Sequence, residues 1–118
     1  MENYPRVCEE AGSLSVEFAP DGRMSRRVPL TMVIDLGQDG DVLGIEILDL
    51  VSQTGKESLG IIRQAVRTDG GGLRYAYDDD SESFYLQLRA GRSVDQKALE
   101  GFAFLDDLGQ ILGIGVNL

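Results

Sequence analysis

The chemistry open to this chain belongs to carboxylates, tyrosines and a few cations, because it holds no histidine and only one cysteine, Cys8. Without an imidazole there is no serine–histidine or cysteine–histidine nucleophile and no histidine-based metal catalysis. A lone cysteine supplies neither an internal disulfide nor a zinc set. The acidic run Asp78-Asp79-Asp80-Ser81-Glu82 invites comparison with a calcium loop. It lacks the alternating ligand spacing, the central glycine and the distant bidentate glutamate of such a loop, so it reads as a solvated hairpin turn. Gly70-Gly71-Gly72 follows a helical pattern and carries no Lys-Ser/Thr, which makes it a linker and not a phosphate cradle. Arg23, Arg26 and Arg27 form a basic patch, either an internal partner for carboxylates or an edge guarded by charge. Glu46 and Asp49 are the other acidic candidates, and they lie in the stretch around which the chain is organised.

Twenty acidic residues against eleven basic leave a net charge of −9, which repels phosphate backbones and anionic lipid. No nucleic-acid or membrane partner is expected, while a basic protein partner stays open. At 118 residues, 42% of them apolar, the chain should form a single domain over 1–118 with a modest core. The start MENYPRVCEEAG has no basic-then-apolar leader, and no run of about 18 apolar residues occurs, which points to the cytoplasm. No motif calls for a cofactor or a metal.

The elements that must position these side chains follow from periodicity. Residues 1–12 show none and read as a loosely docked start. Leu14, Val16 and Phe18 alternate with polar neighbours as a half-buried strand requires, and Ala19-Pro20-Asp21-Gly22 is turn chemistry. From Met24 to Ile34 the even positions are apolar; Pro29 lacks a ladder donor, so this strand is an edge or begins near that residue. Gly37-Gln38-Asp39-Gly40 turns the chain into a strand over 42–50, with Leu43, Ile45 and Ile47 on one side and Gly44 on the other, where a bulge or a close backbone approach is expected. Thr54-Gly55-Lys56-Glu57 has the spacing of a capping box. An amphipathic helix at about 55–67 should follow, with Leu59, Ile62, Ala65 and Val66 inward and Lys56, Arg63, Gln64 and Arg67 outward. The second half adds a hairpin through Tyr75, Tyr77, Phe84, Leu86 and Leu88, a polar connection over 91–96, a strand-like stretch over 98–106 and a last strand over 111–118. The fold class is α+β: about seven mostly antiparallel strands in hairpins, with one helix packed on the sheet.

The last strand repeats an earlier one. At a constant offset of 69, Leu36 aligns with Leu105, Gly40 with Gly109, Leu43 with Leu112, Gly44 with Gly113 and Ile45 with Ile114. Val42/Ile111 and Ile47/Val116 keep apolar residues at matching points. Two degenerate repeats, about 13–52 and 73–118, are therefore expected around a pseudo-twofold axis, joined by the helix and Gly-rich linker over 54–72.

With Tyr77, Asp78, Glu82, Phe84, Tyr85, Leu86 and Leu88 in one half and Gly44-Ile45-Glu46-Ile47-Leu48-Asp49 in the other, the chain resembles the YuzE-like domain, a small bacterial family of unknown function. The resemblance implies that each half is a copy degenerate where the other is intact: Gly115, Asn117 and Leu118 stand where the first copy has Glu46, Leu48 and Asp49. That complementary loss suggests that, if the halves pack around the pseudo-twofold axis, a duplicated site could survive once per chain, with Glu46 and Asp49 from one copy meeting Tyr77, Asp78 and Glu82 from the other to bind a cation or serve acid–base chemistry. The plainer reading makes Tyr77 a core or interface aromatic, Asp78 a turn cap and Glu46 a solvated strand residue.

The expected function is non-enzymatic: a protein acting by self-assembly, as a homodimer, or by contact with another protein. A second reading, allowed by the family's bacterial setting and the acidic surface, is an antitoxin-like regulatory partner of a basic ribonuclease toxin. A third is carboxylate-based binding of a cation or small ligand.

Overall fold

The computed structural model describes residues 5–20, 24–55, 58–69, 73–78 and 80–118, with 66–69 as backbone only. The expected Asp21-Gly22 turn, Arg23, the Lys56-Glu57 part of the capping box, the side chains of Val66 and Arg67, the Gly70–Gly72 linker and Asp79 lie outside the described residues.

Strict alternation at Leu14/Val16, Leu30/Met32/Ile34, Ile45/Ile47, Phe84/Leu86, Ala103/Leu105 and Ile114/Val116 drives one face of each strand into a common core, every one of these side chains being at least 95% buried. The strands are β1 (Arg6–Glu10), β2 (Ser13–Glu17), β3 (Arg26–Leu36), β4 (Val42–Ile47), β5 (Arg74–Asp78), β6 (Ser83–Gln87), β7 (Asp95–Leu105) and β8 (Ile111–Asn117). They form one sheet in the order β1-β2-β8-β7-β3-β4-β6-β5, with every neighbouring pair antiparallel. Helices α1 (Leu50–Thr54) and α2 (Gly60–Asp69) connect β4 to β5. Leu50, Leu59, Ile62 and Ala65 enter the core from these helices, and Ser58 O accepts the Ile111 N–H at 3.0 Å, tying the start of α2 to β8. The sheet curls far enough over the core for Glu9 on β1 to form an ion pair with Arg89, which follows β6 near the opposite end. Among the described residues no helix is long and apolar enough to cross a membrane.

The strand order is unchanged when β1–β4 are exchanged for β5–β8 and the list is read backwards. The β3–β4 and β7–β8 pairings share their register at the repeat offset, including a bulge after Asp35 in one and after Phe104 in the other. The two turns also match: Gly37 donates to Asp41 O and Gly40 to Gly37 O, as Asp106 donates to Gln110 O and Gly109 to Asp106 O. Gly40 and Gly109 take φ of 82° and 84°, a left-handed conformation that glycine adopts without a Cβ penalty. The hairpins are exchanged between halves, since β2 pairs with β8 and β6 pairs with β4.

Five expectations need correction. The strands number eight, because Arg6–Glu10 pairs with β2; five mostly exposed residues carry too little apolar periodicity to announce a strand, and the partner supplies it. The single helix over 55–67 is two helices, α1 starting five residues earlier and α2 ending at Asp69. Thr54 is therefore no N-cap: it closes α1, buried, with its hydroxyl donating back to Leu50 O at 2.7 Å, while Gly55 takes φ 112° and ends the helix. The strand expected over 42–50 stops at Ile47, and the polar connection over 91–96 gives way at Asp95 to the eleven-residue β7.

Pro29 lies in an interior strand, opposite Phe102. β4 pairs only with the Val33–Leu36 end of β3, and the Thr31 N–H points to that side, where Gln53 Oε1 accepts it at 3.2 Å. Two residues away, Pro29 directs its missing donor to the same side, beyond the end of β4. The strand is an edge only along this part of its length.

Candidate functional site

The structure does not gather the five acidic and phenolic candidates into one cleft. Glu46 is half-buried on the outer face of β4, opposite Val33 and Tyr85. Tyr77 is opposite Phe84 on β6, on the inner face, and packs against the core. Period-two alternation thus puts Tyr77 and Glu46 on opposite sides of the sheet. Asp78 is exposed at the end of β5 and accepts the Asp80 N–H at 3.0 Å, a side-chain turn cap.

Asp49 and Glu82 do come together, at the start of α1. Asp49 occupies the N-cap position in a left-handed conformation, φ 54°, and its side chain caps nothing. Glu82 takes over that role from the hairpin turn: its Oε1 accepts the Ser52 N–H at 3.0 Å and the Ser52 hydroxyl at 2.8 Å, and its carbonyl accepts the Leu50 N–H at 3.1 Å. A carboxylate at the first turn satisfies a donor that the helix cannot satisfy itself. Glu82, itself at φ 55°, is thus committed to holding α1.

Glu46 and Asp49 share an open groove of about 320 Å³ with Thr31, Val33, Leu48 and Gln53. Gln53 spans its floor, accepting from Thr31 N and donating to Leu48 O at 2.7 Å. No group of three or more histidine, cysteine or acidic residues suited to a metal ion occurs among the described residues. A larger open depression of about 800 Å³ lies between the β3–β4 turn and residues 90–94, lined by Asp39, Asp41, Leu43 and Arg92.

The most ordered polar cluster was not among the candidates. On the outer face, Tyr85 on β6 lies over Gly44 on β4, and its hydroxyl donates to Asp35 Oδ2 on β3 at 2.9 Å. Gln96 on β7 donates to the other oxygen of Asp35 at 2.7 Å, so one network joins side chains of β6, β3 and β7 across β4. Asp35 is 8% exposed, and both its oxygens are engaged. The Tyr85 phenol is pushed up to about 12, first by burial, then by its hydrogen bond to Asp35 and by the charges of Asp35 and Glu46. It is a neutral donor at ordinary pH and no base, so the cluster reads as a structural clamp. Sequence alone offered one signal, an aspartate and a tyrosine on outward-facing strand positions, without the register that joins them.

The repeated glycine has a cause common to both halves. A Cβ at Gly44 would lie 3.0 Å from Leu86 O and collide with Tyr85 Oη. A Cβ at Gly113 would lie 3.0 Å from Val16 O, the matching carbonyl on the exchanged hairpin. Glycine recurs because a neighbouring strand crowds the same spot in both halves, and that close approach sits beside a bulge in each, at Leu43 and at Leu112, so both expected features are present. What covers the glycine differs: Tyr85 in one half, the Phe104 ring at 3.8 Å in the other.

No family model, curated protein or solved structure matches the chain.

Proposed function

We propose that the protein is a non-enzymatic module that works by assembling, first with a second copy of itself. The supporting observation is the sheet's pair of open ends. β1 and β5 each pair on one side only, and exposed residues alternate along β5. An unpaired row of backbone donors and acceptors is a template for another strand, and a symmetric pair of chains is the simplest arrangement that covers it. Two of the four candidate carboxylates, Glu82 and Asp78, are used in capping, which speaks against a shared carboxylate site.

The YuzE-like resemblance belongs to the same proposal. Its two motif segments fall on β5–β6 and on β4 with the turn after it, and β6 pairs with β4, so segments far apart in the chain form one continuous piece of sheet. We place the protein in the cytoplasm, on the strength of its unmatched cysteine and acidic balance.

Sedimentation and light scattering from micromolar to millimolar protein test the reading. A concentration-dependent rise to twice the chain mass is expected; a strict monomer at the top of that range removes it.

A further inference from the structure

Resting on that self-assembly reading, we infer that the dimer forms through β5, paired antiparallel with the β5 of a second copy about a twofold axis at Ala76. The strand reads Arg74-Tyr75-Ala76-Tyr77-Asp78, with Arg74, Ala76 and Asp78 exposed on the outer face and the tyrosines half-buried on the inner one. Reversed upon itself, this sequence is self-complementary. Arg74 falls opposite the partner's Asp78, Asp78 opposite the partner's Arg74, and Tyr75 opposite the partner's Tyr77, while Ala76 meets its own copy. Opposite charges and aromatic pairs directly across an antiparallel ladder are the favourable cross-strand combinations. Arg74 makes no ion pair among the described residues, and Asp78 uses one oxygen in its turn.

The pseudo-equivalent edge β1 is the poorer choice. Arg6 is bound to Glu17 at 2.8 Å and Glu9 to Arg89, so two of its three charges are already engaged within the chain. Self-pairing about Cys8 would set Val7 against the partner's Glu9. Joining β1 of one copy to β5 of the next is complementary in charge but heterologous, and builds a ring or a filament of more than two chains.

Charge exchange tests the register. Arg74→Asp places two aspartates opposite each other at both ends of the pair, and Asp78→Arg places two arginines there; each should weaken the dimer by about tenfold or more. An equimolar mixture of the two variants restores both opposite-charge pairs and should dimerise, as should the doubly exchanged chain R74D/D78R. Recovery in the mixture also shows that each variant is folded. A dimer indifferent to R74D and D78R overturns the β5 register and leaves self-assembly standing, as does failure of the mixture to recover. Mass that climbs past two chains overturns it in favour of β1-to-β5 joining. A monomeric unmodified protein removes both proposals.

Discussion

Thr31 stands directly opposite Glu100, and its hydroxyl donates to Glu100 Oε1 at 2.9 Å across a sequence separation of 69. That separation is the repeat offset, so each residue faces its own counterpart and the pseudo-twofold axis passes between them. In a symmetric homodimer the two positions would carry one residue type. In the single chain they have diverged into a donor and an acceptor.

The pair can therefore be set against its symmetric form. Thr31→Glu puts two carboxylates opposite each other on the exposed face and is expected to cost about 0.5–1 kcal/mol, whereas Thr31→Lys should be neutral or slightly stabilising. Urea unfolding midpoints for the two variants give the comparison; equal midpoints would remove the axis pair as an energetic feature.

Gly44 and Gly113 should respond unequally to alanine. At Gly44 the new methyl must push Tyr85 off Asp35 as well as press on Leu86 O, for an expected loss of about 2–3 kcal/mol. At Gly113 it meets Val16 O alone within 3.4 Å, so the loss should be smaller, about 1 kcal/mol. Denaturant titration of both variants measures the difference.

Tyr85→Phe leaves one oxygen of a nearly buried carboxylate without its donor and should cost about 1–2 kcal/mol. The same residue sets an alkaline limit. Its pKa rises from 10.0 to about 12 on folding, so between those values the unfolded chain releases the proton while the folded one keeps it. The contribution is complete below pH 10 and is lost as pH climbs through 12. Ultraviolet titration should find a late tyrosine phase near pH 12, and Tyr85→Phe should abolish it.

Glu82→Ala frees the Ser52 N–H and hydroxyl at the first turn of α1. The expected cost is about 1 kcal/mol, the usual size of a lost N-cap. Hydrogen exchange should quicken at Ser52 more than at the β3–β7 amides, which separates a local opening from general destabilisation.

Turns and buried alternation were legible because they are local. Gly40 and Gly109 announced their turns, and Ile45 and Ile47 their inward face, since period two needs no knowledge of the neighbouring strand; Leu43 departs from that expectation, because the bulge opposite Asp35 and Leu36 puts Val42 in the core cluster in its place. The same logic failed at β1, where Arg6–Glu10 has a strand's conformation only because Ser13–Glu17 pairs with it. It failed again at Thr54, whose sequence neighbours fit a capping box while its hydroxyl turned back along the preceding helix. The candidate site was misjudged for a related reason: Glu46 and Tyr77 were brought together by a motif, and strand parity sends them to opposite faces.

By itself, then, the sequence determined an antiparallel, duplicated scaffold with a helical connection, and it excluded histidine chemistry, because composition and short periods are properties of the chain alone. Only the tertiary structure decided that β2 and β6 trade places between halves, that Tyr85, Asp35 and Gln96 form one clamp, that the recurrent glycine answers to a neighbouring carbonyl, and that β1 and β5 are left open. Each of these depends on register between strands distant in the chain, and register is settled by the packing of the whole core, not by any stretch read alone.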